Sequence, residues 1–337
     1  MKNNKFPPGL APSAGRGRLL RNGLLLVLGL GAASALGEHI LELRDTARLT
    51  ANETFYTAHG RRIRYNQTGR PSTPGPTVVL LNGIGGSLEQ WDEVQSTLRG
   101  ALPVLSYDRS GAGFSDPADG HDAYADAAEL DQLLHAPQVA RPPFVVVGFS
   151  SSAMLAIVFA ATHRDVVKGI VLVDPILRIQ SSNWSYRRIF WRPSVRNPIE
   201  AFFGFTRLKS VIADRNAPPS SPKSERWKAI IQSTHHWVAT THDALGLDES
   251  ADEADALMAA RPFADLPLGE IITDPPDDGF VEAQKDFVTR SDRGIIRAVH
   301  YGHSQLLTEP GAVAALVDLI HAIADQGRPA AVVSGSP

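Results

Sequence analysis

The stretch Phe144-Val145-Val146-Val147-Gly148-Phe149-Ser150-Ser151-Ser152 limits the folds open to this chain more than any other. A short apolar, β-branched run reads as a buried strand. It ends in Gly-x-Ser, and a helical segment from Ala153 to Thr162 follows at once. A strand that turns into a helix this abruptly crowds its own backbone, pressing together the residues two before and two after the apex. Of the three consecutive serines, only Ser150 has small residues at both positions, Gly148 and Ser152. An apex at Ser151 would put Phe149 in the crowded place, and one at Ser152 would put Met154 there. Ser150 is therefore the expected apex. The plainer alternative is a serine-rich helix start that caps free N–H groups, and the rest of the chain has to decide between the two.

Strands and helices alternate around this turn. Thr54 to Gln67 reads as an antiparallel hairpin around Gly60. Thr77 to Leu81 is a continuous apolar strand, followed by the loop Asn82-Gly83-Ile84-Gly85-Gly86-Ser87 and a helix over Leu88 to Leu98. Val104 to Tyr107 is the next strand, Asp122 to Leu134 a helix, and Val167 to Val173 a strand that ends at Asp174-Pro175. Such alternation predicts a mostly parallel sheet with helices on both faces. Between Pro175 and Ala264 no strand is legible, and the segment is too long for a loop in a compact domain. It reads as helical, rich in aromatic residues and arginine, with one helix over Glu225 to Ala239. The alternation then resumes: strands over Leu268 to Thr273 and Gly294 to Val299, helices over Gly279 to Thr289 and Ala312 to Ile323. The expected organisation is a signal or anchor segment with a helical linker (1–50), a core (51–174), a helical cap insertion (175–264), the second part of the core (265–325) and a disordered tail (326–337).

Composition excludes several functions. The formal net charge of −3 argues against a dedicated nucleic-acid binder. The absence of cysteine removes disulfides, Cys-based zinc sites and a cysteine nucleophile. His235 and His236 are expected to be exposed on the cap helix, and as neighbours they point to different helix faces, so no metal is expected there. No cofactor is expected either: the glycine loop lacks the Lys-Ser/Thr and the G-x-G-x-x-G register of phosphate sites. At the N-terminal end, Lys2, Lys5, Arg16, Arg18 and Arg21 precede an apolar run from Gly23 to Leu36. Basic residues before an apolar run read as a secretory signal or a signal anchor, with the following domain outside the cytoplasm. Ala33-Ser34-Ala35 fits a cleavage site, and cleavage and membrane anchoring both stay open.

Four elements, in order, resemble the α/β-hydrolase superfamily. They are Leu80 to Ser87 with Trp91 following, Tyr107 to Asp116, the Gly148-Phe149-Ser150-Ser151-Ser152 turn, and His300-Tyr301-Gly302-His303 before Glu309-Pro310. Ser152 stands where the family pattern Gly-x-Ser-x-Gly has its second glycine. The resemblance spans about residues 54 to 325 and is closest to bacterial members with an N-terminal hydrophobic segment. It implies an α/β-hydrolase fold with an inserted helical cap.

It also implies an acyl-bond hydrolase acting on a small-molecule substrate. Ser150 is the expected nucleophile. His303, after a strand and before the last helix, is the expected base, with His300 as competitor. The acid is Asp174, with Asp277 as the alternative, because family members place it after either strand. The backbone N–H groups of Ile84 and Ser151 are the implied oxyanion donors, and Gly83, Trp91 and Phe149 the implied pocket. The aromatic cap favours an apolar acyl or alcohol group. The competing readings are a non-catalytic ligand-binding or receptor protein on the same fold, and a peptidase, carbon–carbon hydrolase or perhydrolase variant of it. Oligomeric state is not legible.

Overall fold

The computed structural model describes residues 14–326 apart from 59, 70–72, 119–121, 137, 178–183, 214–221, 261–262 and 274–286. The expected helix over Gly279 to Thr289 falls mostly outside these residues, and the tail outside them except for Gln326. Eight strands form one sheet in the order β1-β2-β4-β3-β5-β6-β7-β8. They are β1 (Thr54–Ala58), β2 (Arg61–Thr68), β3 (Thr77–Leu81), β4 (Val104–Tyr107), β5 (Phe144–Phe149), β6 (Val167–Val173), β7 (Leu268–Thr273) and β8 (Gly294–Val299). The β1–β2 and β2–β4 pairs are antiparallel and the rest are parallel. The order reverses at β3, whose neighbours are β4 and β5. In open sheets a ligand binds at such a switch point, beyond the carboxyl ends of the strands.

Period-two alternation sorts the strand residues onto two faces. Val79, Leu81, Val146 and Leu172 point into a cluster filled by α3 (Ala123–His135) and α4 (Ser152–Thr162). Val78, Leu80, Val147 and Val171 point into the other, filled by α2 (Asp92–Leu98) and α9 (Pro310–Asp325). Both faces are covered, which is why these strands read as unbroken apolar runs.

Between β6 and β7 lie α5 (Trp184–Phe202), α6 (Phe205–Ala213), α7 (Pro222–Gln232) and α8 (Thr234–Ala259), here termed the cap. The expected single helix over Glu225 to Ala239 is in fact two, divided at Ser233. Its hydroxyl caps α8 by accepting from the His236 N–H, 3.2 Å. Helix α8 packs on the core through Leu247, Ala251, Ala254 and Met258.

At the N-terminal end the apolar run and the expected helical linker form one continuous helix, α1 (Ala14–Leu49), of 36 residues. Neither proline nor a turn sequence interrupts it. Over Arg18–Leu49 it is long and apolar enough to cross a membrane by length and composition, and 6% of its most apolar window is buried.

Candidate active site

Ser150 and Asp174 leave their strands in the same way. Both have positive φ, 56° and 43°, the only such non-glycine residues among those described. That conformation is strained for a side chain other than glycine. Each is held by the next strand's backbone: Ser150 N–H donates to Val173 O (2.9 Å), and Asp174 N–H to Ile271 O (2.8 Å). The parallel ladder thus runs one residue past each strand end and over-determines both conformations. Gly148 is required at the turn, since a Cβ there would lie 2.6 Å from Ser152 O. The crowding is therefore with the backbone of Ser152, not its side chain. That is why serine is tolerated where the family pattern has glycine. Its buried hydroxyl donates to Asn82 O and ties the turn to the β3 loop.

His303 opens a short 3₁₀ turn (His303–Leu307) anchored by the buried Leu306 and Leu307. Its Nδ1 lies 2.5 Å from Asp174 Oδ2, across 129 residues of sequence. The ring stacks on Phe149 with centroids 4.5 Å apart. Asp174 Oδ1 accepts from both the N–H and the hydroxyl of Thr273, each 3.1 Å. Burial alone would raise the Asp174 carboxyl, but the His303 hydrogen bond and charge, with the Thr273 donors, hold it below the ordinary aspartate value. It is an anion at neutral pH, with one oxygen fixed by Thr273 and the other turned to the imidazole. His300 is exposed.

The β3 loop closes the site from the other side. A Cβ on Gly83 would lie 3.0 Å from Ser150 Cβ and 3.1 Å from Phe149 O, so any side chain there would have to push the Ser150 turn aside. Ile84 N–H points at the turn, and there donates to Ser151 Oγ at 2.9 Å. Gly85 has φ +66° and lies under Thr240 and Trp237 of α8. Arg109 binds Asp126 of α3 (2.5 Å) and Asp243 of α8 (2.9 Å), joining core to cap beside a cavity of about 30 Å³ that Ser151 and Ser152 line.

Beneath both loops sits Arg64, fully buried, with Glu53 (2.8 Å), Glu89 (2.5 Å) and Asp108 (3.1 Å) around its guanidinium. Asp108 also accepts from the N–H groups of Leu88 and Phe114. One buried cation thereby fixes the ends of the β3 loop and the β4 turn together.

The sequence model of the alpha/beta hydrolase family matches residues 78–316. The chain belongs to the alpha/beta hydrolase family. Its sequence is 30% identical to the Bacillus subtilis protein YqjL over 126 residues, 37% of this chain and 49% of that one. The chain thus spans about half the length of this curated relative. Among solved structures, this hydrolase fold is similar to the Cif epoxide hydrolase from Acinetobacter nosocomialis, with TM-score 0.63 and 15% identity. The match covers 83% of this chain and 96% of that one. It is likewise similar to the haloalkane dehalogenase DatA from Agrobacterium tumefaciens, with TM-score 0.63, 18% identity, and 81% and 97% coverage. At these identities the likeness concerns the fold alone.

Of the residues expected at the hydrolase site, Ser150, Ser151, Gly83, Ile84 and Phe149 gather at the β3–β5 end of the sheet, and Asp174 and His303 meet there. Asp277 lies outside the described residues. Trp91 is fully buried and meets Phe149 edge-on at 6.2 Å, so it backs the Phe149–His303 stack instead of lining an open pocket. Of the cap aromatics, Phe202 and Phe205 are 49% and 52% exposed, and the side chains of Trp184, Tyr186, Phe190 and Trp191 lie outside those described. His236, expected on the surface, is fully buried; α8 lies on the β4 turn, where His236 Nδ1 accepts from Gly113 N–H at 3.2 Å. Desolvation, with the nearby His235, pushes its imidazole down to about 3. The Thr273 contact with Asp174 is one that sequence reasoning misses, since a threonine at a strand end carries no mark of the partner it will meet. Nor does any sequence signal announce the Ser151–Ile84 hydrogen bond.

Proposed function

We propose that this chain is a serine hydrolase cleaving an ester or related acyl bond through Ser150, His303 and Asp174. The single observation that carries the reading is the 2.5 Å contact between His303 Nδ1 and the Asp174 carboxylate, beside a serine strained at a strand-to-helix turn. In this reading Nδ1 keeps its proton on the Asp174 side, which leaves Nε2 as the base. As Ser150 Oγ bonds to the acyl carbon, its proton passes to Nε2 and the carbonyl electron pair moves to oxygen. The N–H groups of Ile84 and Ser151 receive that charge, and Asp174 stabilises the imidazolium. Collapse returns the pair, breaks the bond to the leaving group, and hands it the proton from Nε2. Water repeats the sequence on the acyl-serine and regenerates the hydroxyl. The N-terminal helix would hold the enzyme at a membrane, with its catalytic part outside the cytoplasm.

The direct test is labelling by a fluorophosphonate probe, with Ser150→Ala as control, and assay on p-nitrophenyl esters of short and long chain. Labelling at Ser150 and loss of turnover in the variant are expected. An unlabelled Ser150 together with a ligand bound intact would instead identify a binding protein on this fold.

A further inference from the structure

We propose that the outward apolar face of α5 and α6 rests in the surface of the same lipid bilayer that holds α1, so that the cap is docked on the membrane. The proposal goes beyond the acyl chemistry and does not need it. It begins with α1 itself. From Leu19 to Leu36 every large apolar side chain is 59–76% exposed, so none of the described residues covers them. At 1.5 Å per residue this stretch is about 27 Å long, close to the roughly 30 Å hydrocarbon layer of a bilayer. Beyond it the helix becomes charged and binds the cap. Glu38 and Asp45 pair with Arg207 (2.9 and 2.8 Å), Glu42 with His235 (2.8 Å) and Arg48 with Glu225 (3.0 Å). The hydrocarbon boundary therefore falls near Leu36, and the cap is fixed relative to it by ion pairs.

At that level the cap is apolar. Ser34 Oγ donates to Phe203 O at 2.8 Å, and a Cβ on Gly31 would lie 3.5 Å from the Phe203 ring. Phe203 thus touches α1 inside its apolar stretch. On either side of it, Ile199, Phe202, Phe205, Leu208, Val211 and Ile212 are each 49–57% exposed. Helical geometry turns Phe205, Leu208 and Ile212 roughly 100–160° from Arg207, the side chain that grips α1 above the boundary. A patch of this kind on a water-facing cap would need covering. Here it is continuous with a helix that itself asks for lipid, and a short amphipathic helix beside a span belongs at the headgroup level. Lys209 and Glu200, paired at 2.7 Å, stand at its polar rim.

The chain has no cysteine, so single labels can be placed without background. The full-length protein is reconstituted in phosphatidylcholine vesicles with one bimane-labelled cysteine at a time: Phe205→Cys, Leu208→Cys or Ile212→Cys. Leu26→Cys in the span and the exposed Arg99→Cys, at the opposite end of the sheet, serve as references. Expected is loss of emission with doxyl-labelled phosphatidylcholine at 205, 208, 212 and 26, with little loss to aqueous iodide; Arg99→Cys should show the reverse. Iodide quenching at 205, 208 and 212 equal to that at 99 would overturn the proposal. So would protection from both quenchers that grows with the protein-to-lipid ratio, which would mean that a second copy covers the face. Absence of lipid quenching at 26 would remove the anchor and the proposal with it.

Discussion

The carboxyl edge of the sheet and the cap above it solve opposite problems. At the sheet edge two strained residues, Ser150 and Asp174, are pinned by the backbone of the neighbouring strand, and the buried Arg64 beneath them is enclosed by three carboxylates, two of which, Glu53 and Glu89, also reach Arg226 of the cap. On the outer side of the cap, Arg207 pairs with Glu38 and Asp45 of α1, and large apolar side chains stay exposed. The core is built to hold atoms still, whereas the cap is built to be held against something else. Chemistry should therefore fail when core contacts are cut, and placement should fail when cap contacts are cut.

The strongest way to break this contrast is at the acid. Asp174→Asn keeps the shape and the Thr273 contacts but removes the charge facing His303. Turnover of an ester is expected to fall by roughly 10⁴-fold, the scale for a triad acid, with folding retained by circular dichroism. Asp277→Asn is expected to leave turnover nearly unchanged. The opposite pattern would transfer the role to Asp277 and leave Asp174 a structural residue.

Next in size is the contrast between buried and half-buried ion pairs. Arg64→Met leaves three acidic groups facing an apolar side chain, and removing one partner of a buried charge set costs about 3–5 kcal/mol. Arg207→Met removes pairs whose arginine is 22% exposed but whose partner Glu38 is 4% exposed, so a loss between the surface and the buried case, about 1–3 kcal/mol, is expected. Urea unfolding of the two variants measures both. Equal losses would show that the cap pairs carry as much of the fold as the core.

Legibility in the amino-acid sequence follows the same division. The core is legible because strands buried on both faces are written as continuous apolar runs, such as Val78 to Leu81 and Val145 to Val147, and because Gly148 and Ser152 single out Ser150. Asp174 is visible as a strand end, but its choice over Asp277 depends on a contact spanning 129 residues, which no local pattern encodes. The cap is legible only as helix. Where its faces turn is set by long-range pairs, so local reasoning puts His236 outside. The Glu38–Arg207 pair, which ties α1 to the cap, joins residues 169 apart.

A third test lies at the contact of the two regions. His236 is held neutral between α8 and the β4 turn, its imidazole pushed from 6.5 to about 3. Between these values the unfolded chain takes up a proton that the folded chain refuses, so stability rises with pH there and falls as pH drops from 6.5 towards 3. From about pH 7 to about pH 5 this group contributes a loss of about 2 kcal/mol. In His236→Asn, which keeps an acceptor for Gly113 N–H, that part of the slope is expected to vanish in denaturant unfolding at the two pH values. An unchanged slope would mean that the cap lifts and admits water before the protein unfolds.

The smallest effect tests the finest feature of the core, the Ser151 hydroxyl on Ile84 N–H. If that N–H receives the oxyanion, the hydroxyl must yield it each time the acyl oxygen arrives. A neutral hydrogen bond is worth about 1 kcal/mol net, so Ser151→Ala is expected to raise kcat/KM by at most about fivefold. The gain should appear in kcat, because the interaction matters when charge develops. A fall in kcat would carry a different meaning: the hydroxyl would then be what keeps the Gly83–Gly86 backbone within reach of Ser150, and the rigidity of the sheet edge would extend to its most glycine-rich loop.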